Sequence, residues 1–480
     1  MKASSVDELK KIIAGCATVG DQVKVTDQAA FRNGPIDKLV YNAVFADSAE
    51  VKGMARWIIK SAAMDMGIWS ASIQGLYEAM GRGDVKKQYT VPAVNIRGMT
   101  YDVARALIRA AIANKSAAFI FEIAKSEIDY TYQRPAEYST VMLAAAVKEG
   151  FCGPIFIQGD HFQVNAKKHK ADPKKEVDSV KGLIEEALRA QFYNIDIDTS
   201  TLVDLSHTTL DAQQRLNYEV CAELTGHVRK LEPSGVTVSV GGEIGEVGEK
   251  NSTVEELTAF MDGYTKAVKA KGVKGISKIS VQTGTSHGGV PMPDGTVAKV
   301  ALDFDTLEKL GDMARKKYGM CGAVQHGAST LPDELFHRFP QVNTGEIHLA
   351  TGFQNMIFDS KNLPASLREK VYKGLHEKFA DEKKAGQTEE QFIYKTRKKG
   401  FGLVKEELWT LPEPVRQAIG AELEAKFDFL FKQLAAVDNA EDVNKYVNSG
   451  KVLPNLQLET EAAGGKGVTK ISSKGDASGE

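Results

Sequence analysis

The feature that most constrains this 480-residue chain is an alternation of short β-rich runs with helical stretches between residues 89 and 351. Several of the runs are apolar throughout, as expected for parallel strands that helices cover on both faces. Eight strands are predicted: Tyr89–Ile96, Ala117–Ile123, Pro154–Asp160, Phe192–Asp198, Val236–Glu243, Ile276–His287, Cys321–His326 and Gly345–Thr351.

The stretches between these runs carry helix signals. Asp172-Pro173 is typical of an N-cap followed by proline at the first helical position. Thr253 and Glu256 have the spacing of a capping box. An alternation of strands and helices implies right-handed crossovers and a parallel sheet.

Eight such units in this length predict the α/β fold class, as a (β/α)8 TIM barrel, which takes about 250 residues. The alternative is an open doubly wound sheet. A G-x-G-x-x-G pattern after the first strand, which would favour that sheet, is missing from the sequence.

The chain extends beyond this barrel, assigned to residues 89–358, at both ends. Residues 1–88 are predicted to be a helical extension that plugs or flanks the barrel base, with one clear helix at Val51–Met64. Residues 359–455 are predicted to be a charged helical extension. Its basic cluster, residues 395–399, is interpreted as a solvated face, with phosphate binding as the alternative. Residues 456–480 are predicted to be a disordered tail.

Composition excludes several classes of partner. Lys and Arg total 61 against 63 for Asp and Glu, so neither nucleic acid nor an anionic membrane is an expected partner. No run of about 18 apolar residues occurs. The four cysteines are scattered without a CxxC pair, and the polar start lacks a secretory signal. We therefore expect a soluble cytoplasmic protein with reduced thiols.

Three histidines, His161, His287 and His326, stand where the third, sixth and seventh predicted strands end. Active sites of this fold lie at the carboxyl ends of the strands, so all three should rim one mouth. Converging imidazoles can bind a divalent metal and leave a position open for substrate. The alternative for any one of them is a structural role. Gly288 and Gly327 would let backbone N–H groups approach a ligand closely.

Carboxylates also stand at strand ends. Asp160 precedes His161, so on an extended chain the two side chains should diverge. Asp160 could move a proton near a bound metal, or it could orient a ligand or cap a turn. Glu243 ends the fifth strand and Asp198 the fourth. Each is a candidate metal ligand, alternate metal position or structural carboxylate.

Ser329 follows Gly327-Ala328 and precedes Pro332, which predicts a helix start directly after the seventh strand. Barrels often hold phosphate at a helix start in the loops after strands seven and eight. The alternative is a simple N-cap serine.

Taken in order, the strand-end motifs resemble one family. The motifs are Val-Pro-Ala-Val-Asn95, Gly-Asp160-His161, Ile-Asp198-Thr-Ser200, Gly-Glu243-Ile-Gly, Ser-His287-Gly-Gly and Gln-His326-Gly-Ala-Ser329. Over roughly residues 75–358 the chain resembles the class II, metal-dependent fructose-bisphosphate and ketose-bisphosphate aldolases.

The resemblance implies roles for these residues. Zinc or another divalent ion would be held by His161, His287 and His326, with Glu243 and Asp198 as secondary metal-site carboxylates. Asp160 would carry the proton of the C4 oxygen. A monovalent cation is a further implied cofactor. The implied substrate- and phosphate-binding residues are Asn95, Gly288, Gly327, Ala328, Ser329, His348 and Thr351.

The implied reaction, in carbohydrate metabolism such as glycolysis, is reversible cleavage of a phosphorylated ketose resembling fructose 1,6-bisphosphate. The products are dihydroxyacetone phosphate and an aldehyde, and the metal stabilises the enediolate. No Schiff-base lysine is needed, and Lys125 after the second strand is expected to meet a phosphate or a carboxylate. Family members are commonly dimers or larger, so a homo-oligomer is expected.

Departures from the family pattern bear on the sugar. The eighth strand reads His348-Leu-Ala350-Thr351 where the family has Asn-Ile-Asp-Thr, and Ala124 replaces a serine after the second strand. The loop after the fifth strand is altered, and Glu249 is the candidate for the family's enolising base.

Two other functions are weighed. The first is a catalytically inactive aldolase-like barrel that serves as an accessory or assembly subunit. The second is a metal hydrolase, which usually needs His-x-His on the first strand, where this chain reads Val-Asn95-Ile.

Overall fold

The computed structural model describes residues 2–245, 250–284, 292–293, 302–448 and 450–471. Within these ranges the strands are β1 (Ala17–Val19), β2 (Val23–Val25), β3 (Ile68–Ala71), β4 (Val91–Asn95), β5 (Ile120–Ala124), β6 (Gly153–Gln163), β7 (Asn194–Asp198), β8 (Ser239–Glu243), β9 (Lys278–Val281), β10 (Ala323–Gln325) and β11 (Glu346–Leu349).

Helices occupy most of the remaining described residues, and none of them is long and apolar enough to cross a membrane. They are α1 (Val6–Ile13), α2 (Gln28–Asn33), α3 (Pro35–Phe45), α4 (Ala49–Asp65), α5 (Gln74–Arg82), α6 (Thr100–Ala113), α7 (Lys125–Tyr130), α8 (Pro135–Glu149), α9 (Ala166–Ala171), α10 (Pro173–Arg189), α11 (Leu210–Leu231), α12 (Val254–Ala270), α13 (Phe304–Tyr318), α14 (Arg338–Gln341), α15 (Thr351–Asp359), α16 (Ala365–Phe379), α17 (Glu389–Thr396), α18 (Gly400–Leu403), α19 (Lys405–Trp409), α20 (Glu413–Gln433), α21 (Ala440–Tyr446) and α22 (Leu456–Ala463). Short 3-10 turns lie at Ser200–Leu202, Ala328–Thr330, Asp333–Leu335, Ala380–Glu382 and Arg397–Lys399.

Strands β4 to β11 form a closed parallel barrel, since each pairs with the next and β11 pairs with β4. The predicted (β/α)8 fold is therefore confirmed, and each of the eight predicted strands contains one of these strands or overlaps it. Two of the predicted helix starts are also correct. Asp172 caps α10, and Thr253 with Glu256 forms a capping box on α12. The sixth strand is shorter than predicted, ending at Val281.

The sheet that forms the barrel has a ninth strand, β3, which was not predicted. It pairs in parallel with Gly153–Phe156 of β6, ahead of the point where β7 joins the same strand. Two hydrogen bonds fix β3 and the residues after it against the chain around the start of β7. Ser70 Oγ donates to Gln191 O (2.8 Å), and Ile73 N donates to Asn194 Oδ1 (2.9 Å). At four residues, β3 is too short to show a periodic pattern in the sequence.

The amino-terminal extension closes the base of the barrel. Helix α5 places the Tyr77 hydroxyl inside the barrel, where it donates to Glu346 at the start of β11. Gly81 of the same helix packs so closely on the loop before β10 that an added Cβ would lie 2.1 Å from Gly319 O. A bulkier residue there would push the helix off the base.

Part of the carboxyl-terminal extension lies at the opposite end, at the barrel mouth, whereas Leu434 and Asn439 accept hydrogen bonds at the base from Thr90 N and Ala117 N. Phe401 packs on Gly98, which follows β4, and Gly402 packs on the carbonyl of Tyr130. The basic cluster is only partly the solvated face that the sequence predicts, because Arg397 is buried and pairs with Asp359 at 2.8 Å.

The tail prediction was wrong for residues 456–471. Helix α22 packs on α4, where Gly53 leaves room for Thr460, and Lys60 pairs with Glu459 at 2.6 Å in the interior. The Gly-, Ser- and Lys-rich composition that predicts disorder begins only after this helix. Residues 472–480 lie outside the described ranges.

The buried Lys60–Glu459 pair gives a stability prediction. Glu459→Leu leaves the Lys60 ammonium buried without its carboxylate, which should lower the free energy of unfolding by about 3–5 kcal/mol. Chemical denaturation measures the change. Glu461→Gln is the control, because its pair with Lys466 is exposed and should contribute little to stability. Equal midpoints for the two variants would contradict the assignment.

Candidate active site at the barrel mouth

Strand alternation brings polar side chains into the barrel in two layers. Residues two apart on a strand share a face, so each interior residue near the middle of a strand has a partner nearer the mouth. These inner and outer pairs are Gln158 and Asp160, Asp196 and Asp198, Lys278 and Ser280, and Glu346 and His348. The interior is therefore polar at a level where barrels usually hold branched apolar side chains.

The inner layer is built around Lys278 of β9, which is buried. Its Nζ donates to Gln158 Oε1 (2.7 Å), Asp196 Oδ2 (2.9 Å) and Glu346 Oε1 (2.5 Å). Gly241 makes this possible, since an added Cβ there would lie 2.4 Å from Asp196 Oδ1. Burial opposes the charge of Lys278, but the two carboxylates outweigh it and raise the pKa of the ammonium. Lys278 is therefore a fixed cation and not a Schiff-base nucleophile.

His161 lies at a β-bulge within β6. Its φ is +39°, and the register with β7 shifts between Gly159 and Phe162. The predicted divergence of Asp160 and His161 was wrong, because the bulge turns both side chains inward. His161 Nε2 lies 3.9 Å from Asp160 Oδ1. Since a positive φ is costly outside glycine, the surrounding packing must hold this conformation.

Two of the three predicted ligand histidines meet at the mouth. His161 Nε2 lies 2.9 Å from His326 Nδ1, and the other nitrogen of His161 lies 3.1 Å from Asp198 Oδ2 and 3.3 Å from Glu243 Oε2. His326 Nε2 is held 2.9 Å from the hydroxyl of Ser280. The structure therefore brings His161, His326, Asp198 and Glu243 together, and their roles as metal ligands stay a prediction.

The charges at the mouth follow from this packing. Burial opposes protonation of His161, but Asp160, Glu243 and Asp198 outweigh it and raise its pKa well above the usual value. Burial raises the pKa of Glu243 to about 7, assisted by repulsion from Asp198. Asp198 keeps a lowered pKa despite burial, because His161 and Ser200 donate hydrogen bonds to it.

This donor set fits a divalent cation. Ligand atoms of His161, Glu243 and His326 all lie within 4.8 Å of one another. Two nitrogens bound to one tetrahedral zinc, each at about 2.0–2.1 Å, lie about 3.3 Å apart, close to the 2.9 Å seen between the two rings. The two imidazoles and the carboxylate are common zinc ligands.

His348 lies below this cluster and not at a phosphate-accessible rim, so its predicted phosphate contact is corrected. It is fully buried, with Nε2 2.6 Å from Glu346 Oε1 and Nδ1 3.2 Å from both Asp160 Oδ1 and Glu122 Oε2. Alternation along β11 explains the position, since His348 shares a face with Glu346. The carboxylates overcome the opposing effect of burial and raise the pKa of His348 well above the usual value.

The predicted phosphate residues gather where β10 and β11 end. Ser329 was predicted to start an α-helix, but it lies in a 3-10 turn. This turn begins after Gly327, which is in the left-handed region (φ +66°), and it includes Ala328. Its hydroxyl accepts a hydrogen bond from Gly352 N (3.1 Å) in the first turn of α15. Thr351 is the first residue of that helix.

Asn95 and Arg97 complete this side of the mouth. Asn95 Nδ2 donates to Glu127, whose other oxygen accepts from Arg97 Nε (2.7 Å). Arg97 Nη1 also donates to Thr351 Oγ1 (3.2 Å) and to Gln354 Oε1 (2.8 Å). A buried guanidinium is therefore fixed beside the first turn of α15.

The other candidate lysine has a structural contact. Lys125 Nζ donates to Gln163 O (2.7 Å) and lies 3.6 Å from Glu176 Oε1, so it meets a carboxylate, as the sequence suggested.

Three predicted site residues, His287, Gly288 and Glu249, lie outside the described residues.

The sequence prediction missed several residues that shape the site: Arg97, Glu122, Lys278, Ser280 and Glu346. A signal for Glu346 was present, because it stands two positions before His348, as Gln158 and Asp196 do before Asp160 and Asp198. Period-two alternation applied inward from each strand end would have exposed the inner layer. Arg97 stands two positions after Asn95, in the loop that the strand-one motif opens.

A family model described as fructose-bisphosphate aldolase class II matches residues 78–407. The chain belongs to this family. Similar solved structures include a fructose-bisphosphate aldolase from Campylobacter jejuni (14% identity, 77% of this chain and 96% of that chain, TM-score 0.44). The YdjI aldolase from Escherichia coli K12 is similar at 13% identity (76% and 98%, TM-score 0.41). A Sinorhizobium meliloti protein described as a probable tagatose 6 phosphate kinase is similar at 16% identity (78% and 97%, TM-score 0.49).

The family assignment and the geometry predict the effect of His326→Ala. In this class II aldolase the change removes one donor of the cluster, so zinc affinity should fall by at least about 100-fold, since loss of an outer partner alone costs about 10- to 100-fold. The zinc affinity is measured as zinc bound per chain after dialysis against graded metal buffers. Circular dichroism checks that the variant is folded. His227→Ala is the matched control, because His227 lies on α11 beside Glu185. Equal zinc affinity in both variants would remove His326 from the ligand set.

Proposed function

We propose that this class II aldolase is a divalent-metal-dependent lyase that cleaves a phosphorylated ketose between C3 and C4. The single observation that carries the proposal is the contact between Asp160 and the cluster of His161, His326 and Glu243 at the barrel mouth. A buried carboxylate beside a cation-binding cluster can exchange a proton with a substrate oxygen held there.

His161, His326 and Glu243 would hold the cation, with His287 proposed as a further ligand on the family resemblance. When bound, zinc or a similar ion supplies a positive charge that withdraws electron density from the ketose carbonyl. Asp198 supports the site from behind, because it accepts hydrogen bonds from His161 Nδ1 and from Gln163 Nε2. Such outer partners fix ring orientation.

Asp160 is proposed to take the proton of the C4 hydroxyl during cleavage. The electrons of the O–H bond then form the aldehyde C=O, and the C3–C4 pair moves toward the C2 carbonyl. In the reverse direction Asp160 returns the proton to the aldehyde oxygen. Its burial excludes water from this transfer. Glu249 remains the proposed base for the C3 proton of dihydroxyacetone phosphate.

The phosphate of the substrate is proposed to bind beside the first turn of α15. Helix starts attract anions, and Arg97 adds a fixed guanidinium next to Thr351. Lys398 of the basic cluster lies near enough for Arg97 to contribute, after burial, to lowering its pKa to about 8. These charges favour a phosphorylated sugar over a neutral one.

The activity itself is the first test. Purified protein loaded with zinc should cleave at least one member of a panel of ketose 1-phosphates and ketose 1,6-bisphosphates. The release of dihydroxyacetone phosphate should be abolished by chelator and restored by added metal. Unphosphorylated ketoses are the control and should react far more slowly. Tight zinc binding without any turnover would instead favour the accessory-subunit alternative.

Asp160→Asn tests the proton carrier. The amide keeps the size of the carboxyl group but cannot accept the C4 proton, so kcat for cleavage should fall by about 100-fold or more. Zinc content should be unchanged, since Asp160 is not among the proposed ligands. Unchanged turnover would reassign Asp160 to a structural role.

A further inference from the structure

His348 stands where the family resemblance has an asparagine, and its surroundings are unusual for a barrel interior. Both ring nitrogens face carboxylate oxygens: Nε2 lies 2.6 Å from Glu346 Oε1, and Nδ1 lies 3.2 Å from both Asp160 Oδ1 and Glu122 Oε2. The Nε2 contact is a hydrogen bond, and Nδ1 lies at ion-pair distance from the two carboxylates.

The ring has little freedom to move. Glu346 is fixed by Lys278 Nζ (2.5 Å) and by the hydroxyl of Tyr77, which reaches it from α5 below. The face of His348 packs against His326, with ring centroids 4.1 Å apart. A chain of contacts therefore runs from the barrel base through Glu346 and His348 to Asp160.

Such a contact matters because the terminal torsion of an aspartate is broad and roughly two-fold. A ring nitrogen fixed 3.2 Å from Oδ1 restricts that rotation and so sets where Oδ2 points. Proton transfer requires this precision, and a misplacement of about 1 Å can cost about 100-fold in rate.

We propose that His348 is a positioning residue that orients Asp160 for proton transfer at the C4 oxygen. This inference rests on the proposed function. It assigns to the strand-eight histidine a role in cleavage and condensation alone. Enolisation of dihydroxyacetone phosphate involves a C–H proton and no C4 oxygen, so it should not depend on His348.

Two substitutions test the contacts of the two ring nitrogens separately. In His348→Asn the amide nitrogen can take the place of Nδ1 and keep a nitrogen toward Asp160. In His348→Gln the amide nitrogen can take the place of Nε2, which keeps the contact with Glu346 but loses the one with Asp160. Both remove the imidazole, so they are matched in what they cost the core.

The experiment measures two rates on each zinc-loaded protein. One is cleavage of the ketose phosphate, and the other is exchange of the C–H proton of dihydroxyacetone phosphate with deuterated solvent, followed by NMR. We expect His348→Gln to lower kcat for cleavage by about 10- to 100-fold with KM and exchange nearly unchanged. His348→Asn should retain most of the cleavage rate.

Other results overturn the inference. Equal loss of cleavage and exchange would show a general defect of the site, and unchanged cleavage in His348→Gln would show that Asp160 needs no such contact. Equal cleavage rates for the Asn and Gln variants would also contradict it. If the unmodified protein neither cleaves nor exchanges, the proposed function fails together with the inference, whereas failure of the inference alone leaves that protein fully active.

Discussion

The ammonium of Lys278, buried at the centre of the barrel, is the interaction on which the rest of the site depends. Removing an ion from water is costly, and the cost is offset only when its donors all find acceptors. Here Gln158, Asp196 and Glu346 supply three, from strands β6, β7 and β11. These strands surround Lys278, so the contacts join sides of the barrel that backbone pairing does not connect. Gly241 is required because any side chain there would occupy the space of Asp196.

The side chains of the outer layer are positioned by these contacts of the inner layer. Glu346, fixed by Lys278, holds His348, which in turn contacts Asp160 beneath the His161–His326 pair. Around His348 the described residues place the carboxylates Glu122, Asp160, Asp196 and Glu346, with Lys278 as the neighbouring ammonium. This excess of negative charge, added to burial, helps to raise the pKa of Asp196 to about 6. It also makes the mouth attractive to a cation, because opposite charges interact strongly where water is excluded.

The sequence predicted the barrel and the convergence of the site residues, because both follow from simple periodicities. Strand ends in a parallel barrel share one mouth, so His161, His326 and Glu243 could be brought together without knowing any contact. The bulge at His161 could not be predicted, since nothing in the sequence Gly-Asp-His indicates a positive φ at the histidine. Strand β3 was missed because it is stabilised by tertiary contacts alone. Helix α22 was missed because the compositional bias of the last residues was extended back over it.

The changes at the eighth strand fit an adapted site better than an abandoned one. The family motif has aspartate where this chain has Ala350, which lines the same small cavity as Arg97. A carboxylate at that point would neutralise the guanidinium and repel an anion. Arg97 already pairs with the Glu127 carboxylate, and with alanine at position 350 it has no second acid there; its other contacts are the neutral oxygens of Thr351 and Gln354. The absence of a second carboxylate leaves less negative charge where a phosphate is proposed to bind.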